Sequence, residues 1–372
     1  MSEKIGEYQA LARKYRPQTF ADVVGQDHVL SALCNTIDAK RIHHAYLLTG
    51  TRGIGKTTIA RIIAKSLECE TGITSKPCLQ CDACKAIAAG NYPDVIEIDA
   101  ASQTKVDDTR QLLENTQYPP LTGRYKIYII DEVHMLTNNS FNALLKTLEE
   151  PPSYVKFILA TTDPHKIPTT VLSRCLQFQL KALSVDEIKN RIISILATEG
   201  VPCEIEAAQL IARAAKGSMR DALSLCDQAI ALGSGSLERK SVITMLGTAG
   251  DGLIAEIIDL LAPETEANFA GVLSKFAQIS PNFKAVLDDL AIAFHDLALY
   301  QMIGDNALGV FTLPQDILNT YAKVFSPESV QLYYQIVLEG IKEYSAAPDG
   351  KSAFEMTLLR LLAFSPEKKK NG

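Results

Sequence analysis

The stretch GTRGIGKT, residues 50–57, decides how this chain is read. Its spacing is G-x-x-x-x-G-K-T. It stands between AYLL (45–48), a short apolar run that reads as a buried strand, and TIARIIAKSL (58–67), whose apolar residues recur at helical spacing. Glycines let a strand-to-helix turn curl until its N–H groups point inward, and the helix start adds the positive end of its dipole. The result is an anion cradle made of Gly50, Thr51, Gly53, Gly55 and Thr58. Lys56 would reach the outer phosphates of a nucleotide, and the Thr57 hydroxyl would ligate Mg²⁺.

Working outward, VIEI (95–98), KIYIID (126–131) and KFILATT (156–162) read as further buried strands, and RCLQFQL (174–180) as a candidate fifth. Helical stretches such as SFNALLKTLEE (140–150) lie between them. This alternation predicts an α/β phosphate-loop module, a parallel sheet covered by helices on both faces. After Ser184 the texture becomes helix upon helix, with glycines at plausible stops. We therefore expect a phosphate-loop domain at 1–183, a small helical lid at 184–247 and an all-α domain at 248–372. No solenoid-type repeat is visible.

KIYIIDEVHML (126–136) supplies a second part of the site. Asp131 and Glu132 end a buried strand, at the edge where parallel sheets place their ligands. Asp131 suits a hydrated Mg²⁺; Glu132 suits a water to be polarised for attack. His134 reads as a packed or surface histidine. Thr162, in ATTDP (160–164), would lie beside the γ-phosphate from the adjacent strand. Arg220, in GSMRDALSL (217–225), falls in the first turn of a helix, where the dipole disfavours a cation unless an anion is close.

Half of the eight cysteines fall in CETGITSKPCLQCDAC (69–84). Cys69, Cys78, Cys81 and Cys84 suit a closed tetrahedral Zn²⁺ site, which is structural rather than catalytic; the same spacing also serves iron–sulfur centres. The insert has few basic residues and no aromatic side chain to stack on bases, which argues against direct DNA reading. The composition of the 372 residues is that of a globular protein, 47% apolar and 22% charged. A net charge of −6 speaks against a DNA binder held by bulk charge. With no signal-peptide core and no apolar run of about 20 residues, a cytoplasmic protein without a membrane partner is expected.

The ordered set LARKYRPQTFADVVGQ, HHAYLLTGTRGIGKTT, the four-cysteine insert, YIIDEVHMLTNNSFNALLKTLEEPP, LATTDPHKIP, LSRCLQF and GSMRDALSL resembles the gamma/tau family of bacterial DNA polymerase III. Those proteins are the AAA+ ATP-hydrolysing motors of the sliding-clamp loader. The resemblance implies ATP, Mg²⁺ and structural Zn²⁺ as cofactors. It also implies a pentameric ring with other loader subunits, held by the C-terminal helical collar, a sliding clamp as partner, and primed DNA gripped through its backbone. It assigns Arg16 and the segment Val23 to Gln26, which includes Val24, to the adenine and ribose pocket, Thr162 to a first sensor and Arg220 to a second. Thr104 and Lys105 would face DNA phosphates. Arg174 would act as an arginine finger in the neighbouring subunit's site. A helicase loader, a branch-migration motor or a non-hydrolysing AAA+ scaffold are the alternative readings. The insert, the collar-like helices and the intact Lys56, Thr57, Asp131, Glu132 and Arg174 weigh against them.

Overall fold

The computed structural model describes residues 9–102, 115–247, 250–262, 268–279, 282–304, 313 and 315–364. The expected contacts at Thr104 and Lys105 lie outside them. The chain forms two compact units, 1–238 and 239–372.

The first unit is built on a five-stranded sheet of β1 (Ala45–Thr49), β2 (Val95–Asp99), β3 (Lys126–Asp131), β4 (Val155–Thr161) and β5 (Leu176–Gln179). The order is β2-β3-β4-β1-β5, and every pairing is parallel. Side chains alternate between faces along a strand. Tyr46, Leu48, Ile127, Ile129 and Ile158 enter one core, whereas Ala45, Leu47, Tyr128, Ile130, Phe157 and Leu159 enter the other. The strands read as unbroken apolar runs because both faces are covered. The first core is closed by α2 (Asp27–Asp38) and α3 (Lys56–Glu68) through Leu33, Ile59, Ile62 and Ile63. Between α3 and β2 runs α4 (Asp82–Ala89). The second core is closed by α5 (Asn138–Glu149) and α6 (Thr169–Leu172) through Phe141, Leu144 and Val171. The fifth strand anticipated within 174–180 is present but short.

Register matters for the site. Thr49 pairs with Thr161, and Asp99 with Asp131, so the C-terminal ends of β1, β3 and β4 open onto one edge. This is a parallel α/β sheet with a glycine-rich loop at the end of β1, and its crevice lies where such sheets bind ligands. The short α1 (Leu11–Lys14) precedes the module, and α7 (Val185–Glu199), α8 (Ile205–Ala214) and α9 (Met219–Leu232) follow it. Ser184 starts α7 with a reciprocal capping box to Glu187, and Gly200 ends it in the left-handed region.

The second unit holds α10 (Arg239–Leu246), α11 (Gly250–Leu261), α12 (Phe269–Ile279), α13 (Phe283–Ile303), α14 (Gln315–Val324), α15 (Pro327–Glu343) and α16 (Gly350–Ala363). Leu290, Phe294 and Leu297 of α13 share one core with Tyr333 and Val337 of α15 and with Phe354 and Leu358 of α16. A Cβ on Gly340 would lie 2.2 Å from Thr357 Oγ1, so α15 and α16 approach at a distance that a larger residue would break. No described helix is long and apolar enough to cross a membrane.

Candidate nucleotide site and cysteine knuckle

The 50–57 loop leaves β1 and becomes the first turn of α3. Gly50, Gly53 and Gly55 have φ of 142°, 78° and 106°, a region that side chains disfavour. A Cβ on Gly53 would also sit 2.0 Å from Ser218 Oγ, since the N-terminus of α9 rests on the loop. Ser218 caps α9 through the Asp221 N–H, and the Arg220 N–H donates to the Gly53 carbonyl at 3.4 Å. Lys56 is nearly buried, and its Nζ donates to the carbonyls of Gly50 and Thr51 at 2.9 and 3.0 Å. Burial pushes its pKa down, against the opposing pull of Glu132 and Asp131.

Thr57 Oγ1 donates to Asp131 Oδ2 at 2.5 Å, joining the two halves expected to hold Mg²⁺. Both oxygens are hard ligands suited to that ion. Glu132 follows at φ 48°, in the left-handed region, where a residue other than glycine is strained. Its Oε2 accepts from the Thr162 N–H at 3.1 Å and the Thr162 hydroxyl at 2.8 Å. Thr162 is thus tied to the carboxylate expected to polarise water, a link that spacing alone did not single out. The His134 Nδ1 lies 2.9 Å from Thr161 Oγ1 and 3.4 Å from Glu132 Oε2. That histidine faces the site, beyond the packed or surface role its position suggested; only strand register brings it to Thr161.

Cations gather around the same mouth. Arg16 Nε donates to Thr58 Oγ1 at 3.2 Å. Its pKa is lowered first by burial and then by the positive charge of Arg61, with a further contribution from Arg220. Val23 and Val24, a few residues further along the chain, are half-buried, and Val23 packs on the α3 side of the sheet. Neighbouring Gln26 ties this segment to the end of the sheet, since its amide donates to the Lys181 carbonyl at 2.7 Å and accepts the Lys181 N–H at 3.0 Å. The 11–16 segment also reaches the helical layer. The Leu11 N–H donates to Asp227 Oδ2 at 2.9 Å, while Lys14 and the Tyr15 hydroxyl both bind Glu199.

Arg174 stands elsewhere. It precedes β5, whose Leu176 pairs with Tyr46 near the start of β1, whereas the phosphate loop leaves the other end of β1. Its Nη2 donates to Glu149 Oε1 at 2.9 Å and its Nη1 to the Thr170 carbonyl at 2.8 Å. Cys175 packs beside the second core, partly buried just before the strand, and burial pushes its thiol up to about 12.

The Sγ atoms of Cys69, Cys78, Cys81 and Cys84 all lie within 4.8 Å of one another. Four thiol sulfurs gathered this closely suit a closed tetrahedral Zn²⁺ site. Three backbone N–H groups already point at sulfur: Cys78 to Cys69 at 3.3 Å, Cys81 to Cys78 at 3.4 Å and Cys84 to Cys81 at 3.4 Å. Burial works against the Cys69 thiolate, but the Cys78 N–H and the Thr71 hydroxyl outweigh it and bring its pKa to about 6. Burial and the neighbouring Cys81 instead raise Cys84. Arg124, which the sequence did not single out, donates to the carbonyls of Leu67, Cys69 and Glu70 at 3.2, 2.7 and 3.3 Å. Glu68, buried in the last turn of α3, accepts the N–H groups of Arg124 and Tyr125.

Comparison with known proteins identifies the family. Residues 25–184 match the family described as DNA polymerase III, delta subunit. Residues 187–235 match the ATPase lid domain of the DNA polymerase III clamp loader subunit, and 237–371 match domain III of DNA polymerase III subunits gamma and tau. The chain is 53% identical over 360 residues to DNA polymerase III subunit tau of Escherichia coli K12, covering 96% of this chain and 56% of that protein. It is 44% identical over 357 residues to DNA polymerase III subunit gamma of Buchnera aphidicola subsp. Baizongia pistaciae, covering 95% of this chain and 96% of that one. It therefore spans about half the length of the tau relatives it matches and nearly all of the gamma relative. With that identity sustained across both compact units, the chain belongs to the DNA polymerase III gamma/tau family.

Proposed function

We propose that this chain is the ATP-hydrolysing motor subunit of a bacterial replicative clamp loader, which couples ATP binding and hydrolysis to opening a sliding clamp and loading it on primed DNA. The observation that carries the reading is the direct Thr57–Asp131 hydrogen bond at the mouth shared by Lys56 and Glu132. Lys56 exchanges two loop carbonyls for phosphate oxygens and neutralises their charge. The loop N–H groups of 50–58 orient the phosphates, and Thr57 and Asp131 would hold Mg²⁺, which would supply charge neutralisation at the transferred phosphoryl group. Glu132 accepts a proton from the attacking water. Arg16, Val23 and Val24 enclose the base and ribose. Thr162 and Arg220 report occupancy, and the Arg220–Gly53 backbone contact supports a route from loop to lid.

Energy from the nucleotide then shifts the population between open and closed assemblies. Arg174 serves the neighbouring subunit's site as a finger; its place at the β5 edge away from its own loop supports this. We keep the division into phosphate-loop domain, lid and collar near 183 and 247; the three separate family matches, 25–184, 187–235 and 237–371, support the threefold division, with the last two meeting near 236. The collar joins a pentameric ring with other loader subunits. Zn²⁺ on Cys69, Cys78, Cys81 and Cys84 is structural. Contact of Thr104 and Lys105 with DNA backbone rests on family resemblance. As a replication subunit the protein works in the cytoplasm.

The test is ATP turnover by the chain mixed with its clamp, the remaining loader subunits and primed DNA. Strong stimulation over the isolated chain is expected, and little stimulation overturns the loader assignment. In the same assay Arg174→Ala should bind ATP normally yet lose much of the assembled turnover, and full activity ends the assignment of the finger.

A further inference from the structure

We infer that His134 is a positioning residue for Glu132, fixing which carboxylate oxygen meets the attacking water. The inference deepens the proposed ATPase and rests on that reading.

All the contacts found on the Glu132 carboxylate among the described residues fall on one oxygen. Oε2 receives the Thr162 N–H and hydroxyl at 3.1 and 2.8 Å, and the His134 Nδ1 stands 3.4 Å away. The two Thr162 donors just past β4, and the imidazole of the 133–135 turn standing against the same oxygen, set the plane of the carboxylate. Oε1 then keeps its lone pairs and one direction in which to present them. Oε2 is the anchor and Oε1 the proton acceptor.

The imidazole is itself fixed. Its side chain is only 10% exposed, and Nδ1 is 2.9 Å from the hydroxyl of fully buried Thr161. That hydroxyl oxygen already accepts the Asp163 N–H at 3.0 Å. A bare Nδ1 lone pair would face the carboxylate, so the neighbouring charge selects the tautomer with hydrogen on Nδ1. Nδ1–H then donates to Thr161 Oγ1 and lies 3.4 Å from Glu132 Oε2, where its positive end faces the carboxylate. The left-handed backbone at Glu132 gives the side chain its direction into the crevice, and the Thr162 donors with the neighbouring imidazole hold it there against that strain. Reaction rates are steep in such placement: a shift of about 1 Å can cost roughly a hundredfold.

The experiment measures kcat and KM for ATP on the full 372-residue chain and three variants, with far-UV circular dichroism confirming the fold. His134→Ala should lower kcat about tenfold and leave KM nearly unchanged, because the base loses aim while phosphate binding is untouched. His134→Asn places an amide nitrogen near the position of Nδ1 and should recover most of kcat. His134→Gln has more of the lost bulk but reaches toward the Nε2 position, and should not. Equal rescue by Gln means packing alone and overturns the proposal, as does an unchanged or raised kcat in His134→Ala. Should the alanine variant fail to fold, the Asn–Gln contrast still decides. A parallel Glu132→Gln chain separates the two readings: if it turns over normally, the base assignment fails, whatever His134 does.

Discussion

The two ends of α3 offer a contrast within one helix. Its N-terminus emerges from the phosphate loop at Lys56; its C-terminus runs into Cys69, the first sulfur of the knuckle. At the first end the polar contacts are exchangeable. Lys56 is held by carbonyls of its own loop, and Thr57 and Asp131 satisfy each other, so a triphosphate with its cation can replace each contact by an equivalent one. At the second end the contacts are closed. Sulfur atoms take N–H groups from within the insert, and Arg124 covers three carbonyls around the helix end. The helix dipole explains the polarity. Its positive end favours phosphate, whereas its negative end favours the Arg124 guanidinium and makes a thiolate there depend on local N–H donors or a metal. Binding energy is recoverable at one end and committed to structure at the other.

This contrast can be broken most severely at Lys56. Lys56→Ala should cut ATP turnover by about 10² or more, since it removes the buried charge proposed to neutralise the outer phosphates, and calorimetry should show ATP binding weakened or lost. Glu132→Gln should abolish turnover comparably yet retain ATP, so a paired binding and hydrolysis measurement separates cradle from base. Normal turnover in either variant would leave the exchangeable site misassigned.

Cys81→Ser probes the closed end, with a smaller effect on chemistry. We expect about one Zn²⁺ per chain in the parent by elemental analysis, lost faster to chelators as pH falls because protons compete for thiolate sulfur. The serine variant should lose that metal and become protease-sensitive within 69–84, while intrinsic ATP turnover stays close to the parent value. Iron in place of zinc, or no metal in freshly reduced protein, would sink the structural-zinc reading.

The smallest effect belongs to Arg124→Ala. Losing a charge-assisted clamp on the α3 carbonyls should destabilise the first unit by about 2 kcal/mol, read as a lower midpoint in urea, with ATP affinity unchanged. A fall in ATP affinity instead would mean that the two ends of the helix are coupled.

The strands, the phosphate loop, the Asp131–Glu132 pair and the cysteine set were all legible in sequence, because each depends on neighbours close along the chain. Apolar runs declare buried strands, glycine spacing declares a tight turn, and four clustered thiols declare a shared site. What met across the fold was not legible. Glu149 is 25 residues from Arg174, and Arg124 is 55 from Cys69. Glu199 and Asp227 receive a segment from the start of the chain. Glu149, Arg124, Glu199 and Asp227 stand in no pattern that sets them apart from ordinary surface charges.

Sequence by itself determined the family and the parts of the candidate site: local spacing fixes which backbone groups converge in the loop and which sulfurs gather. Tertiary structure alone decided how each group is aimed. Parallel register brings the β3 and β4 ends together, so that Thr161 and Thr162 meet His134 and Glu132, and it sends Arg174 to the edge of the sheet opposite the phosphate loop. The physical reason is that a hydrogen bond depends on distance and angle in space, and only the packed sheet sets those between residues far apart in the chain.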